Sequence, residues 1–164
     1  MARTAPLEML HRFGVSGAGV RMERIAQGYI NDTFRVHVPD GDGFILQRIN
    51  GSVFPDPEGI MENLERVLPV LRGPGYRGLS LQQTPDGKLS AKDAGGSLWR
   101  LFHYLPGSGS YTTAESADMA REAGRIIGTF HTLVLGIPAG ALKVTLPRFH
   151  DIHSRYAGLM EALS

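Results

Sequence analysis

The chain contains no cysteine, which excludes disulfide bonds and thiolate-ligated metal sites. Charge is scarce as well: charged residues make up 20% of the 164 residues and the formal net charge is +1, so neither nucleic acid nor an anionic membrane is expected as a partner. No apolar run approaches the roughly 20 residues that span a bilayer, and the first residues lack the apolar core of a secretory signal. We therefore expect a cytoplasmic location.

The residues that are present describe a globular chain. Hydrophobic residues make up 42% of the sequence, which is enough to build a core. The length suits one domain, or one lobe with part of another. The 21 glycines and 10 prolines are spread along the chain as turn residues, and no repeat or low-complexity tract interrupts them.

Alternation of apolar and polar residues in the first hundred positions predicts an antiparallel sheet. A glycine- and aspartate-rich turn at 39–43 predicts a hairpin between two of the strands, and Pro85-Asp86-Gly87 predicts a second hairpin. The expected strands are 20–26, 33–38, 44–49, 79–84, a run from 88, and 97–105.

Two helices are predicted to accompany this sheet. A short amphipathic helix is expected at 7–13, closed by Gly14. Asp56 followed by Pro57 is typical of a capped helix start, and Pro69 should end or kink that helix. The apolar residues at helical spacing between them are expected to form its buried face: Ile60, Met61, Leu64, Val67, Leu68 and Leu71.

The second half of the chain has a different character. Residues 106–110 read as a linker, and a long helix is expected at 113–134 with Thr113 as its cap. Its expected buried face consists of Met119, Ala123, Ile126, Ile127, Phe130, Leu133 and Val134. Another helix should run from about Asp151 to the end, where an apolar helical pattern stops without a cap, so we expect a truncated helical lobe. Uncovered apolar helix faces would favour self-association.

The turn at 28–33 and the strand at 44–49 carry the most chemical information. A glycine turn brings backbone N–H groups close to anionic oxygens, and a basic residue on a neighbouring strand can pair with them. Gly28, Asn31, Thr33 and Arg48 supply these groups. An ordinary hairpin turn and a surface arginine are the alternatives. Strand alternation does not decide between them, because Gln47 and Arg48 are adjacent and point to opposite faces.

The order of elements, three strands, a helix, two strands, a linker and a helix, is similar to the N-terminal lobe of the protein-kinase-like superfamily. That resemblance implies an α+β fold: a five-stranded antiparallel sheet plus one helix at 1–105, a hinge at 106–112, and the first helices of an incomplete C-terminal lobe at 113–164. Within the superfamily the chain resembles the aminoglycoside phosphotransferase and choline kinase branch, and most closely the bacterial N-acetylhexosamine 1-kinase-like proteins. The motifs are Gly28-Tyr29-Ile30-Asn31-Asp32-Thr33-Phe34, Ile45-Leu46-Gln47-Arg48-Ile49-Asn50, Val53-Phe54, Met61-Glu62-Asn63-Leu64, Trp99-Arg100 and Gly128-Thr129-Phe130-His131.

The resemblance implies a role for each matching residue. Gly28, Asn31 and Thr33 would cover the phosphates of ATP, and Arg48 would pair with the α- and β-phosphates, where many relatives have lysine. A glutamate on the following helix would orient this cation; helical geometry favours Glu65, and the motif match favours Glu62. The end of the last strand, just before the hinge at 106–112, would read the adenine edge with backbone groups. Its residues are Phe102, His103 and Tyr104.

The implied reaction is ATP- and Mg²⁺-dependent phosphorylation of the anomeric hydroxyl of an N-acetylhexosamine, a step of carbohydrate metabolism. The superfamily also needs a His-x-Asp motif followed by Asn, with a later aspartate, for catalysis and metal binding. This sequence has no such motif, and the nearest match, His150-Asp151-Ile152-His153, has the wrong spacing. We do not expect His150 and His153 to bind metal. The chain alone is expected to be inactive, and the alternative is a non-catalytic, kinase-like protein that binds a nucleotide or a partner.

The first prediction concerns nucleotide affinity. Calorimetry of the 164-residue chain with Mg-ATP should show weak binding or none, because the sequence lacks the metal-binding motif. Submicromolar affinity would contradict this and show that the glycine turn and its sheet are sufficient.

Overall fold

A computed structural model describes residues 5–26, 28 and 30–163. Of the predicted features, Tyr29 in the glycine turn and Ser164 at the chain end lie outside these residues. The strands in these residues are β1 (Arg21–Ile25), β2 (Asp32–His37), β3 (Phe44–Arg48), β4 (Arg72–Gly73), β5 (Tyr76–Arg77), β6 (Ala91–Lys92) and β7 (Leu98–His103). Five of them form the main antiparallel sheet, in the order β1-β2-β3-β7-β6, which confirms the predicted α+β class, and β4 and β5 form a separate hairpin.

The β2–β3 hairpin forms where the glycine- and aspartate-rich turn predicted it. Gly43 has a φ of 75°, and a Cβ at this position would lie 2.2 Å from the carbonyl oxygen of Val36. Any other residue here would therefore have to displace backbone. The hairpin sets the register that pairs Phe34 with Leu46, and Leu46 in turn pairs with Leu101 on β7.

One face of the sheet packs against helix α1 (Ala5–Arg12), and we call it the α1 face. Met9, Leu10 and Phe13 are buried against the inward residues of three neighbouring strands, including Val36 and Leu46. Burial of large apolar side chains is the main stabilising contribution of such a core. The short amphipathic helix is confirmed, with its start two residues earlier than predicted.

The opposite face packs against helix α2 (Pro57–Val67), and we call it the α2 face. Met61 on this helix meets Ile49 and Leu98 in a second apolar cluster. Asp56 caps the helix by accepting a hydrogen bond from the Gly59 N–H at 2.8 Å, as the sequence predicts. The helix ends at Val67 and a 3₁₀ turn follows over Leu68–Val70, which confirms the effect of Pro69.

The predicted strand at 79–84 is wrong. The turn at Pro85 forms, closed by a hydrogen bond from the Thr84 N–H to the Lys88 oxygen, but regular pairing with β7 does not extend along 79–84. Leu81 makes an isolated bridge to Phe102. The reason is that β6 pairs with the first residues of β7 on the same edge of that strand. Residues 80–82 can therefore pair only with the last residues of β7.

Helix α3 (Ala117–Val134) starts four residues later than predicted. Its cap is Ser116, which accepts a hydrogen bond from the Met119 N–H, so the assignment of Thr113 as cap is corrected. The predicted buried face is also wrong in part: no described residue of α3 is buried, and Ala123 and Ile127 are exposed. Within the described residues, the β4–β5 hairpin packs on this helix, with Leu133 beside Gly73.

Helix α4 (Ile152–Ala162) begins where the sequence predicts. Asp151 caps it by accepting hydrogen bonds from the N–H groups of His153 and Ser154. None of the helices in the described part of the chain combines the length and apolar character needed to cross a bilayer.

The turn before β7 generates a stability prediction. Asp93 accepts hydrogen bonds from the Gly95 and Ser97 N–H groups, both at 2.9 Å, and from the indole nitrogen of the buried Trp99 at 2.8 Å. Asp93→Ala would leave the indole without a partner, so we expect a loss of about 1–3 kcal/mol in the free energy of unfolding, measured by urea denaturation.

Asp40→Ala is the matched control, because Asp40 lies in an exposed turn. Its effect should stay within about 0.5 kcal/mol. Equal destabilisation by the two variants would contradict the assigned role of Asp93.

Candidate phosphate-binding site

A row of polar side chains crosses the α2 face at the end of the sheet next to the β1–β2 turn. Thr33 on β2 pairs in register with Gln47 on β3, and Gln47 pairs with Arg100 on β7. Ile25, the last residue of β1, lies opposite Thr33. Since paired residues in neighbouring strands point to the same side, these side chains share one face. We call Thr33, Gln47 and Arg100 the polar row.

Hydrogen bonds connect the polar row from end to end. Arg100 donates to Gln47 Oε1 through Nε at 3.0 Å and through Nη2 at 2.5 Å. Gln47 Nε2 donates to Thr33 Oγ1 at 3.2 Å, and the Thr33 hydroxyl lies 3.5 Å from the Asn31 carbonyl oxygen. The amide of Gln47 is therefore oriented by both neighbours, and the row reaches the β1–β2 turn.

Arg100 carries the positive charge of this row. Its guanidinium lies 4.9 Å from the centre of the Phe102 ring, within the range of a cation–π contact. Burial lowers the pKa of Arg100 to about 10, which leaves the group charged at neutral pH. Among the described residues, no carboxylate forms an ion pair with it. The row thus presents a partly desolvated cation whose only strong acceptor is a neutral amide.

The β1–β2 turn is tied to the segment that follows β3. The Asn50 N–H donates to Asn31 Oδ1 at 2.9 Å, and Asn50 Nδ2 donates to the Ile30 carbonyl oxygen at 2.9 Å. The predicted phosphate ligand Asn31 therefore retains its amide nitrogen as donor. Gly28 has a φ of 137°, a conformation that favours glycine, and an added Cβ would meet nothing within 4 Å.

Arg48, the cation that the sequence favours for phosphate, lies on the α1 face. Its Nε donates to Asp32 Oδ2 at 2.9 Å, and its Nη2 contacts the same oxygen. Asp32 also accepts from Arg24 at 2.6 Å. Partial burial alone would raise the pKa of Asp32, but the hydrogen bonds and charges of the two arginines outweigh it and hold the pKa below its ordinary value. The predicted phosphate role of Arg48 stays a prediction.

The two candidate glutamates on α2 lie away from Arg48. Glu62 forms an ion pair with Lys143 at 2.6 Å, beside two hydrogen bonds between Asn63 and the Lys143 backbone. Glu65 is exposed and lines a groove between α2 and the β4–β5 hairpin. Helical geometry favours Glu65 as the residue turned towards the sheet, but contact with the segment after α3 makes Glu62 the less exposed of the two.

The predicted hinge residues are anchored at the end of β7. The His103 N–H donates to the Ser80 oxygen at 3.0 Å, and the Tyr104 N–H donates to the Gly43 oxygen at 3.0 Å. Phe102 is buried, and the Arg35 guanidinium stacks 3.5 Å from the centre of the Tyr104 ring. These two N–H groups already serve the fold, so contact of this segment with adenine stays a prediction.

Comparison with known families matches residues 21–163 to the model of the phosphotransferase enzyme family. This range contains the whole five-stranded sheet, the polar row and the helices that follow. The chain belongs to the phosphotransferase enzyme family.

Membership in the phosphotransferase family implies a nucleotide and a small-molecule substrate, and kinases of this family typically use ATP and Mg²⁺. Within the described residues, no group of three or more His, Asp or Glu side chains is arranged to hold a metal ion. His150 and His153 flank Asp151, whose carboxylate caps α4. The described donor set does not fit magnesium.

Sequence reasoning missed three groups of this phosphotransferase. Gln47 and Arg100 lie in two of the family motifs, but the motifs predict no function for them. The sequence also does not predict that Asp32 pairs with Arg48. The available signal was strand alternation in β7, which puts Arg100 on the same side as Phe102. The register between β3 and β7, which brings Arg100 to Gln47, joins residues 53 positions apart.

The Arg48–Asp32 pair generates a pH prediction. The lowered folded-state pKa means that Asp32 contributes stability above its unfolded pKa of about 3.9, and that this contribution is lost as pH falls through the folded value. In Arg48→Gln, carboxyl-carbon NMR should therefore show a higher pKa for Asp32, and acid unfolding should remove less stability.

Arg121→Gln is the control, because Arg121 pairs with Asp118 on α3. It should leave the titration of Asp32 unchanged. An unchanged Asp32 pKa in Arg48→Gln would show that the pair does not form in solution.

Proposed function

We propose that this phosphotransferase is an ATP-dependent small-molecule kinase, and that the α2 face of its sheet binds the nucleotide. The proposal rests on two findings that occur in the same part of the chain: the family match over 21–163, and a charged polar row beside a glycine turn. The turn and the row offer backbone N–H groups, a hydroxyl and a cation. These are the groups that stabilise the negative charge of a transferring phosphoryl group.

The proposed acceptor is the anomeric hydroxyl of an N-acetylhexosamine, which would place the protein in carbohydrate metabolism. Support comes from the motifs shared with N-acetylhexosamine 1-kinase-like proteins, including those around Gly28, Leu46 and Trp99. Choline, aminoglycosides and homoserine are the competing acceptors elsewhere in the superfamily. The hinge at Phe102, His103 and Tyr104 would take the adenine. Because such a kinase draws on cellular ATP, we place it in the cytoplasm.

A second candidate function is nucleotide binding without turnover. The polar row itself contains no carboxylate, and the two candidate glutamates on α2 are Glu62, which is paired with Lys143, and the exposed Glu65. Phosphoryl transfer needs a carboxylate positioned at the acceptor hydroxyl. For the 164-residue chain by itself we therefore propose binding of nucleotide without catalysis.

An acceptor panel tests the proposed reaction. The protein in its native form should release ADP from ATP in the presence of N-acetylglucosamine or N-acetylgalactosamine, and phosphorus NMR should show a sugar 1-phosphate. A sugar methylated at its anomeric oxygen is the matched control, because it has no hydroxyl to accept the phosphoryl group, and it should give no ADP above background.

Release of ADP with an aminoglycoside, choline or homoserine alone would overturn the sugar assignment and retain the kinase. Binding of ATP without ADP release in any arm would favour the second candidate.

A further inference from the structure

We propose that Arg100 on β7, rather than Arg48 on β3, is the cation that binds the nucleotide phosphates, and that Gln47 is the residue that positions it. This inference deepens the proposed function and rests on it for the identity of the anion as a nucleotide. It assigns to this chain a phosphate-binding cation on the strand that leads into the hinge.

The position of Arg100 in the sheet is the first argument. The row formed by Thr33, Gln47 and Arg100 is in register with Ile25, the last residue of β1 before the glycine turn. The turn and the guanidinium therefore lie at the same end of the same sheet. Beside this end, the α1 face carries Trp99 of its apolar cluster and a cavity lined in part by Arg24, Asp32 and Arg48. The α2 face presents the polar row, whose side chains project from three adjacent strands.

Charge compensation is the second argument. Arg48 and Arg24 share the carboxylate of Asp32, and Asp93 lies close enough to Arg48 to feel its charge. A phosphate approaching Arg48 would compete with these carboxylates. Arg100 has no ion-pair partner among the described residues, and burial penalises its charge. A partly desolvated, uncompensated cation is costly in a folded protein, and an anionic ligand would offset that cost.

The orientation of the guanidinium is the third argument. Gln47 Oε1 accepts from Nε and Nη2 of Arg100, and the ring of Phe102 lies beside the group. Nη1 makes no hydrogen bond within the described residues. Since none of their completely buried side-chain nitrogens lacks a partner, Nη1 retains some accessible surface. Gln47 thus holds the guanidinium of Arg100 in one orientation, and the remaining N–H donors of that guanidinium are available for a phosphate oxygen.

Titration of the 164-residue chain with three probes tests the assignment. Tripolyphosphate, ATP and adenosine are each followed by NMR at millimolar concentration, with the backbone amide signals of β3 and β7 as the local reporters, because every variant retains them. In Arg100→Gln, we expect the affinity for tripolyphosphate and ATP to fall by about 10- to 100-fold, as loss of one charge-assisted contact implies. The affinity for adenosine should be unchanged, since it has no phosphate.

Arg12→Gln is the matched control for loss of one positive charge. Arg12 lies on the exposed side of α1, paired with Glu8, and its variant should bind all three probes like the wild type. Arg48→Gln is the decisive comparison, because Arg48 is one register position away on the opposite face. A fall in phosphate affinity in Arg48→Gln, with none in Arg100→Gln, would overturn the proposal and restore the prediction from sequence.

Gln47→Glu separates binding from folding. Glutamate has the shape of the Gln47 side chain but carries a negative charge. At this position it would neutralise the Arg100 cation and keep it in place. If Arg100 only supports the fold, this variant should bind the probes like the wild type. If Arg100 binds phosphate, stability should be unchanged or higher while tripolyphosphate affinity falls about as far as in Arg100→Gln. Arg100→Lys, which keeps the charge without the fork, should retain part of the affinity.

The outcomes separate the two proposals. No saturable binding of tripolyphosphate to the wild type, or equal binding to wild type and Gln47→Glu, overturns the role of Arg100. Loss of phosphate affinity in both variants, together with no ADP release in the acceptor panel, supports Arg100 and overturns the kinase reaction. ADP release that survives Arg100→Gln with an unchanged KM for ATP overturns the Arg100 assignment alone.

Discussion

Strand β3 is hydrogen-bonded to β2 on one side and to β7 on the other, and the rest of the structure depends on the alternation that this double pairing enforces. Its inward residue Leu46 packs in the core under α1, while Gln47 points to the α2 face and Arg48 points back. A shift of one residue would exchange the two faces, moving Leu46 out of the core under α1 and Gln47 into it. The hairpin turn with Gly43 at its end excludes that shift.

The two faces of the sheet consequently differ in the size of their apolar clusters and in the pairing of their charges. The α1 face holds the larger apolar cluster, and at its rim Arg48 and Arg24 both pair with Asp32. The α2 face holds a smaller cluster around Met61 and leaves Arg100 without a carboxylate among the described residues. Because burial penalises an unpaired charge, this asymmetry is the physical basis of the proposal that the α2 face binds the nucleotide phosphates.

The helical part of the chain meets the sheet domain through few contacts. Lys143 binds Glu62 and Asn63 on α2, Arg125 donates to the Gly75 oxygen, and Leu133 lies beside Gly73. These contacts involve α2 and the β4–β5 hairpin rather than the polar row. The exposed apolar residues of the later helices, such as Leu159 and Met160 on α4, keep self-association a prediction.

Local patterns were sufficient to predict the α+β class, the β2–β3 hairpin, the cap at Asp56 and the end of α2 at Pro69, because short-range sterics and hydrogen bonds determine these features. They were not sufficient for the strand at 79–84, which competes with β6 for one edge of β7, or for the exposure of α3. The sequence assigned the phosphate-binding cation to Arg48, but neighbouring residues in a strand point to opposite faces, and the sequence did not show which face Arg48 occupies. The tertiary structure decided the partners on each face, because pairing of β3 with β7 brought Arg100 to Gln47 and pairing with β2 brought Asp32 to Arg48.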